Sequence, residues 1–179
     1  MNLMDQFRIQ FGSLTNGEHE FEFEIDDKFF EHFENSVIQH GFMDVLVTVN
    51  KKDYMLVVDF TMEGTVGVQC DRCGENMDVE LSGYNELTVK FGEDDDGGED
   101  DDVIYISPKE NELNLAQFIY EYATLLVPMR NVHPDDEAGA NGCDPEILKK
   151  IEALAPKEKE ETKKEVEPRW DILKKINLN

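Results

Sequence analysis

Four side chains in this 179-residue chain are of the types that hold a metal ion, two at the usual ligand spacing and two at a wider ten-residue step. Cys70 and Cys73 stand in VQCDRCGENM, and His133 and Cys143 lie ten residues apart in the loop RNVHPDDEAGANGC. Structural zinc takes four ligands in a tetrahedron and favours thiolate sulfur and imidazole nitrogen. A Cys-x-x-Cys turn lets two sulfurs face one ion, and His133 with Cys143 would complete a Cys3His set. Such a site would tie the helical half of the chain to a turn between strands, with structural zinc supplying an apparent binding free energy of roughly 10–16 kcal/mol. Two other readings of the cysteines stay open. A redox pair needs a low-pKa thiolate, usually obtained at a helix N-terminus, whereas this pair follows a strand, although Arg72 between the cysteines would favour the thiolate. In the plainer reading the thiols are reduced, packed and metal-free.

No catalytic residue is assigned. His19, His32 and His40 stand far in sequence from any cysteine, no Gly-rich phosphate loop occurs, and carboxylate pairs carry no information in a chain with 41 acidic residues. The expectation is a protein without enzymatic activity. Arginine is scarce: Arg8, Arg72, Arg130 and Arg169 are the four in the chain, and three fall in the segments singled out here. A guanidinium fork grips phosphate bidentately, so Arg72 and Arg130, brought together by a shared metal, would present an RNA- or partner-binding face. Arg169 and Trp170 in the terminal PRWDILKKI are assigned to the same role. The competing reading pairs each arginine with one of the many carboxylates.

The elements that must position these residues change character along the chain. HEFEFEID, MDVLVTVNK and YMLVVDFTMEG alternate apolar and polar residues at period two, the pattern of strands with one face inward. Asn50-Lys51-Lys52-Asp53 links the last two as a hairpin. DDKFFEHFENSVI predicts a short helix capped by Asp26 or Asp27, with Phe29, Phe30 and Phe33 on one side. TVGVQC and MDVELSGYNELTVKF flank the cysteines as strands, and VIYI resumes a short one. In NLAQFIYEYATLLVPM, Leu115, Phe118, Ile119, Tyr122, Leu125 and Leu126 form a helical stripe, with Asn114 as cap and Pro128 as terminator. DPEILKKIEAL has Asp144 as N-cap, Pro145 at the first helical position and Ile147, Leu148, Ile151 and Leu154 as its stripe. The fold class expected is α+β: an antiparallel sheet or open β-barrel from the first half, and two to three helices from the second. Residues 1–154 form a single domain in this reading, with an acidic loop at 92–102, a charged linker at 155–167 and an amphipathic tail at 168–179.

Composition sets the surroundings. A hydrophobic fraction of 40% and an aromatic fraction of 9% suit a folded core. No apolar run approaches the roughly 18 residues of a spanning helix, and MNLMDQFRIQF lacks the form of a signal peptide, so a cytoplasmic protein without a membrane partner is expected. The net charge is −24, and EDDDGGEDDD at 93–102 supplies only eight of the acids. A field of that sign repels nucleic acid and attracts basic proteins within a Debye length of about 8 Å.

CDRCG, then NLAQFIYEYATLLVPM, then His133 and Cys143, then PRWDILKKI follow an order that resembles the YceD family, the large ribosomal RNA subunit accumulation proteins. The resemblance covers residues 64–179. This chain differs in its long acidic loop and in Arg130-Asn131, which stand between Met129 and Val132-His133. The resemblance implies a role in accumulation or processing of large-subunit ribosomal RNA. Combined with the residues, it leads to a ribosome-assembly factor whose zinc-organised face meets large-subunit ribosomal RNA or a pre-ribosomal particle. The alternatives are an acidic chaperone for a basic large-subunit ribosomal protein and a thiol oxidoreductase.

Overall fold

The computed structural model describes residues 3–92, 103–135 and 142–155. These fall into two compact units, one ending at Cys143 and the other beginning at Asp144. The acidic stretch 93–102 and the expected tail, with Arg169 and Trp170, lie outside the described residues, as does the expected linker beyond Ala155.

The period-two segments become the long strands of one open sheet. These are β2 (Gly17–Ile25), β3 (His40–Lys51), β4 (Met55–Gln69) and β5 (Asn76–Phe91), paired antiparallel in sequence order, and β6 (Val103–Ile106) joins the β5 edge in parallel. The sheet is therefore mixed. YMLVVDFTMEG and TVGVQC form one strand of 15 residues, because β3 and β5 pair with β4 on both sides of Gly64 and carry the ladder through it.

Alternation sends one side chain in two to the inner face. Met43, Val45, Val47 and Val49 of β3 meet Leu56, Val58, Phe60 and Met62 of β4, all buried. Fully burying a side chain of this kind stabilises the fold by about 1.5–3 kcal/mol. This core is covered by α1 (Asp27–Glu31), α2 (Ala116–Leu126) and a 3₁₀ helix, Leu3–Phe7. Phe7 packs edge-on to Phe29 at 5.0 Å, and Phe60 meets Tyr122 edge-on at 5.0 Å. Phe33, just past α1, stacks flat on Tyr120 of α2 at 3.8 Å. The predicted cap of α1 is present, since the Asp26 carboxylate accepts from the amides of Lys28 and Phe29.

The N-terminus is anchored by a pairing too short to show in a sequence pattern. β1 (Arg8–Ile9) pairs with β7 (Leu113–Asn114), and the Leu115 amide donates to the Phe7 carbonyl at 2.9 Å. This places the start of α2. Leu115 holds the N-cap position with no side-chain cap of its own, and the Asn114 Oδ1 accepts from the Ala116 amide at 2.9 Å. Along α2, Leu115, Ile119 and Tyr122 are buried as the stripe predicts, but Leu125 is 73% exposed. Leu126 turns inward in its place, against Gly83 of β5.

The second unit contains α3 (Pro145–Leu154), capped as expected by the Asp144 carboxylate, which accepts from the Glu146 amide at 2.8 Å. Ile147 and Leu148 are half-buried, whereas Ile151 and Leu154 are exposed. No helix among the described residues is long and apolar enough to cross a membrane.

Candidate metal centre

β4 delivers the chain to Cys70 and β5 leaves from Asn76, so the Cys-x-x-Cys occupies the turn of a long hairpin. Two backbone bonds close that turn. The Cys70 amide donates to the Glu75 carbonyl, and the Gly74 amide donates to the Cys70 carbonyl, both at 2.8 Å. Gly74 has φ +77°, and a Cβ there would meet nothing within 4 Å, so it is the left-handed backbone and not crowding that selects glycine.

α2 ends at Leu126, and the following loop runs back to this turn. The Asp71 amide donates to the Asn131 carbonyl at 2.7 Å, and the Asn131 amide donates to the Asp71 carboxylate at 2.6 Å. This reciprocal pair sets His133 over the cysteines. The Asn131 side chain also donates to the Pro128 carbonyl at 3.0 Å, which shapes the loop from within. Gly142 then comes so close to the Pro134 carbonyl that an added Cβ would lie 2.6 Å from its oxygen, and that approach brings Cys143 beside His133.

The four expected ligands are thereby assembled. One ligand atom from each of Cys70, Cys73, His133 and Cys143 lies within 4.8 Å of all the others. The Cys70 and Cys143 sulfurs are 3.7 Å apart, and His133 Nδ1 is 3.5 Å from the Cys73 sulfur and 3.7 Å from that of Cys143. A tetrahedral ion with bonds of about 2.3 Å to sulfur and about 2.0–2.1 Å to nitrogen has sulfur–sulfur edges near ~3.8 Å and sulfur–nitrogen edges near ~3.6 Å. The three distances match those edges. None of the three sulfurs is in a disulfide, and all three cysteines are buried.

The electrostatics of the sulfurs differ. Burial pushes the Cys70 thiol up, but amides of Cys73, His133 and Arg72 aimed at its sulfur outweigh it and bring the pKa down to about 6. Burial, followed by the neighbouring sulfurs of Cys70 and Cys73, pushes Cys143 up to about 11. The two sulfurs are thus shifted in opposite directions, because amides are aimed at Cys70 while Cys143 faces neighbouring sulfurs.

Arg72 is half-buried and Arg130 exposed, each adjacent in sequence to one member of the Asp71–Asn131 pair. Among the described residues neither guanidinium makes an ion pair within 4 Å, whereas Arg8 bridges Asp5 and Glu112. The remaining histidines stand elsewhere: His40 bonds Asp78 at 3.1 Å, and His19 contacts the Thr15 carbonyl. Asp71, Asn131 and Gly142 escaped the sequence reading. Their roles rest on contacts to residues far along the chain, or on local crowding, that no spacing reveals.

A family model described as "Large ribosomal RNA subunit accumulation protein YceD" matches residues 58–177, more than half of the chain. No curated protein and no solved structure matches it.

Proposed function

Because the chain belongs to the YceD family of large ribosomal RNA subunit accumulation proteins, we propose that it is a non-enzymatic, cytoplasmic factor supporting accumulation of large-subunit ribosomal RNA. Its metal centre holds zinc through Cys70, Cys73, His133 and Cys143. When bound, the ion serves as a structural cross-link. It fixes the loop after α2 to the β4–β5 turn and so presents Arg72 and Arg130 on one face to ribosomal RNA or a pre-ribosomal particle. Arg169 and Trp170 add to that contact in this reading. The observation that carries it is the match of three distances among the candidate ligands to tetrahedral edges, beside two arginines with no carboxylate partner among the described residues.

The test is binding of large-subunit ribosomal RNA across a salt series, using the full chain and the double variant Arg72→Glu plus Arg130→Glu. Two lost phosphate contacts lower the slope of log K against log salt by roughly 1.4–1.8. Binding that the double variant leaves unchanged would overturn the RNA face.

The charge of −24 favours a second reading, an acidic chaperone that shelters a basic large-subunit ribosomal protein. It predicts a salt-weakened complex that survives RNase, whereas the first reading predicts partners that RNase releases. Thiol oxidoreductase chemistry is the weakest of the three, since the low-pKa sulfur belongs to Cys70, which is 2% exposed and gives a disulfide substrate no line of attack.

A further inference from the structure

The inner face of the sheet is covered, but its outer face is open, and the charges on it are nearly all negative. β2 presents a glutamate at every second position, Glu18, Glu20, Glu22 and Glu24, all exposed. The strand register sets like charges directly opposite one another: Glu24 faces Asp44, Asp44 faces Glu63, and Asp59 faces Glu86. Directly opposed like charges destabilise a sheet, and native sheets ordinarily alternate their signs. No lysine or arginine occupies an outward position on β2, β3 or β4, and the outward lysine of β5, Lys90, lies at its far end over Tyr105. The arrangement is thus an unneutralised field built into paired strands, distinct from a solvated mixture of both signs.

Apolar groups stand within that field. Phe42 is 51% exposed, Leu46 37% and Tyr84 60%, each on the same face as the carboxylates. Tyr84 is held in place by its hydroxyl, which donates to the Asp59 carboxylate. That bond, with smaller contributions from desolvation and the charges of Asp59 and Glu86, pushes its pKa up to about 12. A trough of about 850 Å³ runs along Glu22, Asp44, Leu46 and Glu63 and wraps the edge of β2 to Gln6, Phe7 and Phe23.

We infer that this outer sheet face docks an extended, lysine- and arginine-rich segment of a partner protein. Charge complementarity selects the occupant. Phosphate is repelled by a face with no outward lysine or arginine on three adjacent strands, so nucleic acid does not fit. An extended segment places alternate side chains about 6.8 Å apart, the spacing of the β2 glutamates. Apolar side chains between its basic ones would meet Phe42, Leu46 and Tyr84. The proposal rests on the basic-partner reading for the class of partner and adds the surface; it is independent of the metal centre.

The experiment uses the full chain and a short synthetic peptide with lysine at every second position and phenylalanine and leucine between, with single-stranded RNA as the comparison ligand. The surface variant is Glu24→Gln, Asp44→Asn and Glu63→Gln together. The control, Glu31→Gln, Glu34→Gln and Glu110→Gln, changes the net charge equally at exposed positions outside the sheet. Removing opposed like charges does not threaten folding, which circular dichroism of the variant checks. The surface variant should bind the peptide about tenfold more weakly, as expected of three lost partly exposed charge pairs, and the control should bind within about twofold of the parent. Equal weakening in both variants would overturn the surface by assigning the binding to net charge alone, as would parent-like binding by the surface variant. RNA bound more tightly than the peptide and weakened by the surface variant would overturn the choice of occupant. Failure of the unaltered chain to bind the peptide would sink the basic-partner reading itself.

Discussion

Removing zinc should loosen one loop and lower the melting temperature without dissolving the core. The ligands come from positions 60 residues apart between Cys73 and His133, and 73 apart between Cys70 and Cys143. The principal packing, around Phe7, Phe29, Phe30 and Phe60, lies elsewhere in the same unit. At free zinc a thousandfold above the dissociation constant, binding to the native state alone adds about 4 kcal/mol. For a chain of this size that corresponds to a melting shift of roughly 8–16 °C. The assay is elemental zinc per chain after purification, then calorimetry and hydrogen exchange with and without a strong chelator, repeated on Cys143→Ser. One equivalent of zinc is expected. After chelation the amides of Asp71 and Asn131 should exchange faster while those of β3 and β4 stay protected. Affinity should fall as pH drops below about 11 and keep falling through neutrality, because Cys143, pushed up to about 11, must surrender its proton to bind. A chain that carries no zinc, or whose melting and exchange ignore the chelator, would refute the tetrahedral reading.

Two further outcomes follow from single contacts. Gly142→Ala would set a Cβ 2.6 Å from the Pro134 carbonyl oxygen and 3.2 Å from the His133 Cβ, so Cys143 must move. Zinc affinity, read by chelator competition, should fall about tenfold or more (a ~1.4 kcal/mol loss, within the 1–3 kcal/mol of overpacking), and wild-type affinity would show that the close approach is dispensable. Tyr84 should ionise near 12 in an alkaline absorbance titration. Its folded pKa is raised above the ordinary 10, so its hydrogen bond contributes stability below pH 10 that is lost as pH rises through about 12. Asp59→Asn should shift the Tyr84 step down towards 10, and an unmoved titration would show that Asp59 is not its cause.

The caps of α1 and α3 and the strand faces were legible because they depend on near neighbours, whereas the N-cap of α2 falls on Leu115, one residue past the expected Asn114. Asp26 and Asp144 cap the helices they precede, since a carboxylate reaches amides two or three residues on. Phe21, Phe23 and Ile25 point the same way because successive side chains of a strand alternate. Leu125 shows the limit. Its helical spacing matches the buried stripe, yet only the position of Gly83 decides that Leu126 fills the space and Leu125 faces water. The parallel addition of β6 and the β1–β7 pairing were equally invisible, because short strands owe their place to whatever edge the rest of the fold leaves open.

By itself the sequence determined the types of the four candidate ligands, the turn that pairs Cys70 with Cys73, the α+β order of elements and the excess of negative charge. These are properties of composition and of residues close along the chain. Only the tertiary structure decided that His133 Nδ1 and the Cys143 sulfur reach the Cys-x-x-Cys turn at tetrahedral distances, through an Asp71–Asn131 bond that spans 60 residues. It also decided that Glu24, Asp44 and Glu63 stand in one cross-strand row on an open face. A hydrogen bond or a charge repulsion depends on distance in space, and folding makes that distance nearly independent of separation along the chain.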